Sequence, residues 1–436
     1  MKPDQHSDID PNWLVAVVAN QKGEIFELAG YSAVGMSGKQ LTPLHKDHTL
    51  SLPYGSELMF LPHRTPLLYD IQNRKFVSLD HNPYQVSEKI FPVAAFNSPG
   101  YLITQNSAYE DHSDAAPLPL FSYGAVGWFQ DGFRSAVMQV DPERRQDLRL
   151  MPPEKVEAGI KKMRKLLPGN RLRKHLEGCA MRYGCPAGKN FFLGRYEAPL
   201  PTARRCNADC LGCLSLQKQD GISCSQERIA FTPTPEEIAD IALVHIQTAE
   251  NAIVSFGQGC EGDPLLAADV IIPAIQLIRK KTSKGTININ TNGSLPKVMK
   301  PLIAAGLDSV RISINSFREP CYQAYFRPKG YDFKDVIETI RISLVNGLYV
   351  SINYLNMPGV VDSPEEVESL VKFLNQYPIQ RIQWRNLNYD PIRYRFAMQA
   401  APSRGEPMGI RNLLRHIHKK FPDLSYGYFN PPKELW

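Results

Sequence analysis

Hydrophobic and polar residues alternate in short runs along the first third of the chain, a pattern typical of β-strands. Two such runs, residues 13–18 and 24–28, flank residues 20–23, which end in a glycine that suits a tight hairpin turn. Similar short runs, bounded by proline, glycine and asparagine, recur to about residue 138. The sequence therefore predicts a β-rich N-terminal region that begins with a hairpin.

The hydrophobic spacing then becomes that of alternating helices and strands. Residues 141–167 are predicted to be helical, because Pro168 and Gly169 follow as a stop signal. The other predicted helices are residues 235–249, 363–376 and 408–420, and the predicted strands are residues 253–257, 286–291, 309–315, 349–355 and 379–385. Because strands that alternate with helices usually pair in parallel through right-handed crossovers, this part predicts an α/β sheet.

Polar residues occupy one face of several predicted strands. Residues 286–292 alternate two isoleucines with Asn288, Asn290 and Asn292, and the next strand alternates isoleucines with Arg311, Ser313 and Asn315. A parallel strand covered on both faces would be almost entirely apolar. We therefore expect one face to pack on helices and the other to line a wet cavity, as in an open or partial βα barrel. An antiparallel sheet with one face in water is the alternative.

These patterns predict an α/β fold in which a partial (β/α) barrel follows a β-rich N-terminal domain. The predicted segments are a disordered tail (1–12), a β-rich domain with a helical end (13–175), the barrel core (176–395) and a C-terminal helix with an aromatic tail (396–436). The role of the N-terminal domain is open, and it could recognise a substrate or cap the barrel.

Composition narrows the class of protein. The chain has 436 residues and a formal net charge of +6, which suits anionic small molecules but lacks the concentrated basic patch of a nucleic-acid binder. There is no apolar run of about 18 residues, so no membrane span is expected. The eight cysteines include a tight trio, which favours metal binding in a reducing cytoplasm over a disulfide framework.

The trio is Cys206, Cys210 and Cys213. Three thiolates within eight residues supply all but one of the ligands that an iron–sulfur cubane usually takes, which leaves one iron open for chemistry. A closed zinc site needs four ligands, usually as two spaced pairs, and here Cys224 could supply only a lone fourth ligand. The spacing therefore favours an iron–sulfur cluster, with structural zinc as the alternative.

The spacing Cys-x3-Cys-x2-Cys resembles the cluster motif of the radical S-adenosylmethionine (SAM) superfamily. Later segments resemble the same family in the same order: a glycine-rich acidic turn at residues 257–266, strand ends at residues 290–293 and 311–316, and a connection at residues 325–333. The resemblance covers roughly residues 196–393. It departs from the family in two places, since the turn lacks the usual Gly-Gly-Glu-Pro form and Gly212 stands where an aromatic residue often precedes the third cysteine.

The resemblance implies a partial barrel of radical SAM type that binds a [4Fe–4S] cluster through the trio and SAM through its strand ends. The SAM-binding residues that it implies are Gly259, Glu261, Gly262, Asp263, Asn290, Asn292, Arg311, Ser313 and Asn315. Whether Glu261 or Asp263 meets the SAM amino group is left open. In the family, the reduced cluster cleaves SAM to a 5′-deoxyadenosyl radical that abstracts hydrogen from a substrate.

Several partners follow from this interpretation. An electron donor such as ferredoxin or flavodoxin is expected, and the substrate could be a small molecule, a peptide or a protein. Gln383 and Arg385, on the polar face of the last predicted strand, are candidate substrate contacts. The candidate ligands of a second iron–sulfur cluster are Cys179, Cys185, Cys224 and Cys260.

Two other classes of protein stay open. A non-catalytic iron–sulfur protein, acting as a redox sensor or electron carrier, would hold the same cluster but never cleave SAM. A zinc-stabilised binding module would hold zinc instead of iron. The metal bound by the purified protein and its ability to cleave SAM distinguish these two classes from the enzyme.

Overall fold

The computed structural model describes residues 10–219 and 221–436 and divides the chain into two compact units. One unit contains the chain through Val140 together with residues 356–368 and 386–420. The other contains residues 141–355, 369–385 and 421–436. Most of the tail expected at residues 1–12 lies outside the described residues.

The β-rich region before residue 141 is built from short strands. In chain order they are β1 (Val15–Ala19), β2 (Ile25–Ser32), β3 (Val34–Ser37), β4 (Gln40–Pro43), β5 (Leu50–Ser51), β6 (Glu57–Phe60), β7 (Arg64–Asp70), β8 (Lys75–Ser78), β9 (His81–Asn82), β10 (Gln85–Lys89), β11 (Phe91–Phe96), β12 (Tyr101–Ile103), β13 (Asn106–Ser107), β14 (Tyr109–Asp111), β15 (Val126–Phe129), β16 (Gly132–Ser135) and β17 (Val137–Gln139). Ten of these described strands form one sheet.

Strand β1 is the centre of that sheet, because it pairs with β2, β11 and β15. Its antiparallel register with β2 places Ala19 opposite Ile25, which confirms the hairpin predicted from the first residues of the pattern. Gly23 has a φ of 80° in the turn, a backbone conformation that glycine adopts at no steric cost. The predicted β-rich N-terminal region is thus confirmed.

The rest of the chain alternates helices and strands. In order they are α1 (Pro153–Leu166), α2 (Arg171–Arg182), α3 (Pro186–Leu193), β18 (Glu197–Pro199), α4 (Pro235–Thr248), β19 (Ile253–Phe256), α5 (Ala268–Lys281), β20 (Thr286–Thr291), α6 (Met299–Ala305), β21 (Ser309–Ile314), α7 (Glu319–Phe326), α8 (Phe333–Val345), β22 (Tyr349–Asn356), α9 (Pro364–Gln376), β23 (Arg381–Asn386), α10 (Pro391–Ala397), α11 (Ile410–Lys420) and β24 (Ser425–Gly427). Within the described residues, every helix is too short or too polar to cross a membrane.

Strands β18 to β24 form one sheet in the order of the sequence, and the neighbours from β18 to β22 and the pair β23–β24 are parallel. The sheet is open, because β18 and β24 are its two edges. It also curls, since Glu197 on β18 and Gln383 on β23 both bond to the side chain of Asn430. The α/β partial barrel predicted from the sequence is confirmed.

Two features of this part were not foreseen. Strands β18 and β24 have three residues each, which is too short for a periodic pattern to stand out. The helix expected from residue 141 begins only at Pro153, because a proline fits the first turn of a helix but not its interior. Asp141 instead accepts a hydrogen bond of 2.8 Å from the Tyr428 amide.

A buried leucine on one of the outer helices of the sheet can be used to test the described core. Leu302 on α6 is fully buried, and Leu166 at the end of α1 is 52% exposed. Replacing Leu302 by alanine removes buried methyl groups and leaves a cavity, so we expect Leu302→Ala to lower the free energy of unfolding by about 2–5 kcal/mol. Urea unfolding of the full chain measures the change. The matched Leu166→Ala should stay within about 0.5 kcal/mol, and equal losses in both variants would contradict the described core.

Candidate active site

The three cysteines of the trio lie on an irregular loop between β18 and α4, and the main chain of that loop is pinned to the connection between α7 and α8. The Asp209 amide donates to the Phe326 carbonyl at 3.0 Å, and the Leu211 amide donates to the Tyr325 carbonyl at 3.0 Å. In return, the Lys329 amide donates to the Asn207 carbonyl at 2.8 Å. The sulfurs are therefore carried by a loop whose position is fixed from outside.

The trio does not form the compact group that a single metal ion needs. A tetrahedral zinc site holds its sulfurs about 3.8 Å apart, because each Zn–S bond is about 2.3 Å. Among the described residues, the sulfurs of Cys206, Cys210 and Cys213 do not form a group within 4.8 Å of one another. A cubane takes each cysteine at a different iron, so its sulfurs stand farther apart than those around one ion.

The electrostatics of the loop also fit a metal cluster. Burial and the nearby Asp263 carboxyl raise the pKa of the Cys206 thiol to about 12. Burial and the neighbouring Cys206 raise the pKa of Cys210 well above its usual value. A free thiolate is therefore unfavourable here, whereas a bound metal centre supplies the positive charge that deprotonates such thiols. The donor set fits the [4Fe–4S] cluster.

In the glycine-rich turn after β19, two glycines lie directly against the main chain of neighbouring segments. A Cβ added to Gly257 would lie 1.7 Å from the Asn290 carbonyl oxygen, and one added to Gly262 would lie 1.8 Å from that of Arg205. Neither position can hold a side chain without moving the backbone. Gly259 differs, since its added Cβ would meet only the end of the Gln226 side chain, at 2.5 Å. The turn therefore lies against both the cysteine loop and the end of β20.

Glu261 ties this turn together from inside the protein. One carboxylate oxygen accepts from the amides of Thr202 and Ala203 at 2.8 Å each, and the other accepts from those of Gly257 and Gln258 at 2.7 and 2.8 Å. Burial raises the pKa of Glu261 to about 7, while these four amide donors act in the opposite direction. All the usual acceptor positions of the carboxylate are thus occupied by the protein.

Asp263 joins the same turn to the end of β20. Its carboxylate accepts from the amides of Leu265 (3.0 Å) and Asn292 (2.6 Å) and from the Thr291 hydroxyl (2.8 Å). Its own amide donates to the Arg205 carbonyl at 2.9 Å, directly before Cys206. Burial raises the pKa of Asp263 to about 6, and the hydrogen bond from the Asn292 amide opposes that shift.

The two asparagines at the end of β20 have separate contacts. The Asn292 side chain donates to the Asn207 side chain at 2.9 Å, which connects the strand end to the cysteine loop. The Asn290 side chain donates to the carbonyls of Phe256 and Gly257 at 3.0 and 3.2 Å, where it supports the start of the glycine-rich turn. Both residues hold loops of the site in place.

Deeper in the sheet, the polar strand face is filled by the protein itself. Arg311 donates to the Gln383 side chain at 2.8 Å, and Gln383 donates to Asn430 at 2.8 Å. Asn430 in turn donates to Glu197 at 2.8 Å. Burial and the nearby Arg385 lower the pKa of Arg311 to about 9. The expectation of a wet cavity is therefore corrected at this depth, because Asn430 of the C-terminal segment bonds to Gln383 and Glu197, although the Arg311 Nε atom has no partner within the described residues.

Nearer the C-terminal strand ends, other polar groups lack protein partners. Arg385 lies over the Tyr428 ring at 3.8 Å, and its buried Nε makes no hydrogen bond within the described residues. The Asn353 side chain donates to Ser313 at 3.5 Å, while its own buried oxygen accepts none from the described part of the chain. Asn315 donates to the Cys321 carbonyl at 3.1 Å. This level of the sheet is the part suited to a polar ligand.

The remaining cysteines do not gather as one group. Cys179 and Cys260 are brought together with His175, and the three ligand atoms lie within 4.8 Å of one another. Cys185 is close by in the main chain, since its amide donates to the Cys179 carbonyl at 3.1 Å. Cys224 is exposed and lies outside that group in the described structure.

The sequence pattern missed several residues of the site. Arg228 places its guanidinium 3.6 Å from the Cys213 sulfur, and the hydroxyls of Tyr322 and Tyr331 lie 3.3 Å apart beside the trio. Neither contact has a sequence signal, because each joins residues on different elements: Arg228 and Tyr331 lie on irregular loops, and Tyr322 lies in α7. His175 is different, since its spacing of four from Cys179 on a helix was readable in the sequence.

Glu261 gives a direct test of the site's framework. Glutamine keeps one acceptor oxygen but turns an NH2 group toward two amide donors, so we expect Glu261→Gln to lower the free energy of unfolding by roughly 2–6 kcal/mol. Urea unfolding of the cluster-free chain measures this loss. Glu250, which is exposed, provides the matched Glu250→Gln control and should change stability by less than about 0.5 kcal/mol. A Glu261→Gln protein of unchanged stability would show that the four amides do not depend on the carboxylate.

Comparison with known proteins places this site in a family. Residues 200–374 match the profile of the Radical SAM superfamily. A GTP 3',8-cyclase of Lactiplantibacillus plantarum is 26% identical over 191 residues, which are 43% of this chain and 52% of that protein. Molybdenum cofactor biosynthesis protein 1 of Bos taurus is 28% identical over 242 residues, 53% of this chain and 34% of that protein. The chain thus spans about half or less of the length of these two relatives.

Solved structures give weaker similarity. Native anSMEcpe with bound AdoMet aligns with a TM-score of 0.36 and 18% identity, over 44% of this chain and 52% of that chain. Methylornithine synthase (PylB) aligns with a TM-score of 0.38 and 14% identity, over 63% and 77%. The superfamily binds a [4Fe–4S] cluster and SAM. Residues 200–374 of the chain are thus a radical SAM domain.

Proposed function

We propose that this chain is a radical SAM enzyme that binds a [4Fe–4S] cluster through Cys206, Cys210 and Cys213 and binds SAM beside it. The observation that carries the proposal is the set of three thiols on one loop pinned from outside, which do not form a single-ion group within the described residues. When bound, the cluster and SAM supply the reducing electron and the 5′-deoxyadenosyl radical that removes hydrogen from a substrate. The residues of the chain supply position, water exclusion and charge.

The protein contacts of the two buried carboxylates decide how we assign the SAM amino group. Glu261 accepts four amide hydrogens and has no acceptor position to spare, and Asp263 already accepts three, from two amides and the Thr291 hydroxyl. We therefore assign ammonium recognition to main-chain carbonyls of the glycine-rich turn. In this proposal Glu261 and Asp263 are positioning residues, and so are Asn290 and Asn292.

The substrate that we propose is anionic. Arg385 is held over Tyr428 with a buried Nε that no described residue accepts from, and Arg guanidinium groups recognise carboxylate and phosphate by paired hydrogen bonds. GTP is the first compound to test, because relatives over this region are named GTP 3',8-cyclases. Gln383 and Arg311 are committed to each other and to Asn430, so in this proposal they support the pocket and do not contact the substrate.

Two further partners belong to the proposal. Enzymes of this family need an electron donor, and we propose a ferredoxin or flavodoxin for this chain. All eight cysteines are free thiols, which supports a reducing compartment such as the cytoplasm.

The proposal predicts formation of 5′-deoxyadenosine. Anaerobic reconstitution of the chain with iron, sulfide, SAM and dithionite should yield this product, because the open iron of a three-cysteine cluster is available to SAM. Chromatography with mass detection measures it. The triple variant Cys206→Ala, Cys210→Ala, Cys213→Ala should give only background.

The control for this assay is Cys224→Ser, since Cys224 is an exposed cysteine that the proposal does not use as a ligand. It should bind the same iron and form the same amount of product as the unmodified chain. A chain that holds a redox-active cluster but never forms deoxyadenosine would instead be a sensor or carrier. Zinc in place of iron at the trio would remove the enzyme proposal altogether.

The Arg385 assignment predicts a change in substrate use without a change in SAM cleavage. Arg385→Ala loses a charge-assisted contact to the anion, so we expect the KM for GTP to rise roughly 10- to 100-fold. Product formation at varied GTP measures KM, and the deoxyadenosine formed without GTP should stay the same. If deoxyadenosine formation without GTP falls together with product formation from GTP, Arg385 supports the fold or SAM binding instead.

Arg341→Ala is the matched control, because Arg341 is exposed on α8 and paired with Glu338. This variant should leave both the KM for GTP and the formation of deoxyadenosine unchanged. If GTP neither binds to the unmodified chain nor alters its turnover, the nucleotide is not the substrate, while the deoxyadenosine assay still decides whether the chain is an enzyme.

A further inference from the structure

A second set of metal-binding side chains lies outside the trio, between α2 and the glycine-rich turn. His175 and Cys179 are one helical turn apart on α2 and therefore project from the same face. The His175 Nε2 atom is 3.5 Å from the Cys179 sulfur, and the Cys260 sulfur completes a group in which all three ligand atoms lie within 4.8 Å of one another. Helix α2 and the turn thus bring a nitrogen and two sulfurs to one point.

The spacing of this group is that of a single ion. Zinc bonds of about 2.0 Å to nitrogen and about 2.3 Å to sulfur place tetrahedral ligand atoms about 3.3–3.8 Å apart. The group formed by His175, Cys179 and Cys260 needs little movement to reach that geometry, whereas the trio has no such group. Imidazole and thiolate together favour zinc among the common divalent ions.

The site is built into the fold, with both sulfurs buried and His175 half-buried. Cys179 is 3% exposed and Cys260 is 5% exposed. The main chain of Cys260 is held by the Ile229 amide, which donates to its carbonyl at 2.8 Å, and the Phe231 ring lies edge-on to His175. A buried pair of thiols and an imidazole from two separate elements is an arrangement that a metal ion stabilises.

Cys185 lies outside the group of three ligand atoms, but its main chain is joined to Cys179. Its amide donates to the Cys179 carbonyl at 3.1 Å, where the chain turns from α2 into α3, and Cys185 caps the start of α3. A structural zinc site is normally closed by four protein ligands. The path of the main chain therefore points to Cys185 as the ligand that closes this one.

We propose that His175, Cys179, Cys260 and Cys185 bind one zinc ion that fastens α2 to the glycine-rich turn. Cys260 directly precedes Glu261, so the ion would hold the turn beside the residue whose carboxylate binds four main-chain amides. The proposal does not rest on the radical chemistry, because it concerns a different set of ligands. It differs from a second iron–sulfur cluster in the ion, in the number of ions and in the use of His175.

Metal analysis of the full chain tests this proposal. The unmodified chain and the triple variant of Cys206, Cys210 and Cys213 are purified anaerobically, stripped by a chelator and then titrated with Zn²⁺ against a chromophoric competitor. We expect one tightly bound zinc per chain in both proteins. Iron and acid-labile sulfide should be bound only by the chain with the intact trio, so failure at one site is distinguished from failure at the other.

Single substitutions identify the ligands. Cys179→Ser, Cys260→Ser and His175→Ala should each lose the tight zinc, and Cys185→Ser should bind it more weakly. Cys224→Ser is the matched control and should keep it, since Cys224 is exposed and outside the group. Circular dichroism of each variant establishes that it is folded.

Cobalt gives a readout that needs no variant. Co²⁺ bound to the stripped triple variant should show thiolate charge-transfer absorption and the intense visible bands of tetrahedral coordination. Weak octahedral bands would overturn the proposal, and so would tight zinc retained by Cys179→Ser and Cys260→Ser. Binding of iron and sulfide by the triple variant would overturn the zinc proposal and indicate a second iron–sulfur cluster instead. Unchanged zinc affinity in Cys185→Ser would remove Cys185 from the ligand set.

Discussion

The structure of the site depends on two buried carboxylates whose hydrogen-bond partners are almost entirely main-chain amides. Glu261 joins the start of the glycine-rich turn to residues 202 and 203, and Asp263 joins the turn to the end of β20. Burying such groups is unfavourable unless each acceptor is satisfied, and here the loops can satisfy them only in one arrangement. The position of Cys206 follows from this constraint, because the amide of Asp263 binds the carbonyl of Arg205.

The same principle separates the two depths of the curled sheet. Near the strand starts, Glu197, Gln383 and Arg311 are bonded to one another through Asn430, so the protein supplies its own partners. Nearer the strand ends, buried polar atoms of Arg385 and Asn353 have no partner within the described residues. Active sites of βα folds lie at the C-terminal strand ends. The unsatisfied groups of Arg385 and Asn353 lie toward those ends and support a ligand site there, although the Arg311 Nε atom also has no partner within the described residues.

The sequence predicted many of the helices and strands, because hydrophobic periodicity and capping residues act over only a few neighbouring positions. The hairpin of β1 and β2, helices α4, α9 and α11 and the strands from β19 to β23 follow from hydrophobic periodicity and capping residues. The trio was readable because its ligands are adjacent in sequence. What could not be read depends on distant contacts: the insertion of Asn430 among four strands, the contact of Arg228 with Cys213, and the short edge strands β18 and β24. The sequence also predicted the polar strand faces. It could not predict whether water or distant residues of the chain form hydrogen bonds with those polar side chains.

Two sets of thiols flank one turn, and their different spacing argues for different tasks. The trio is spread over a loop, which suits a cluster that presents an open iron, while His175, Cys179 and Cys260 converge tightly and leave no room for one. Cys260 and Glu261 are neighbours, so a closed ion on one side and four amides on the other would fix the turn between them. A turn that must offer main-chain carbonyls to an ammonium group gains from such fixation, because preorganised dipoles need no rearrangement when the ligand arrives. The structural ion and the reactive centre would then act on the same few residues.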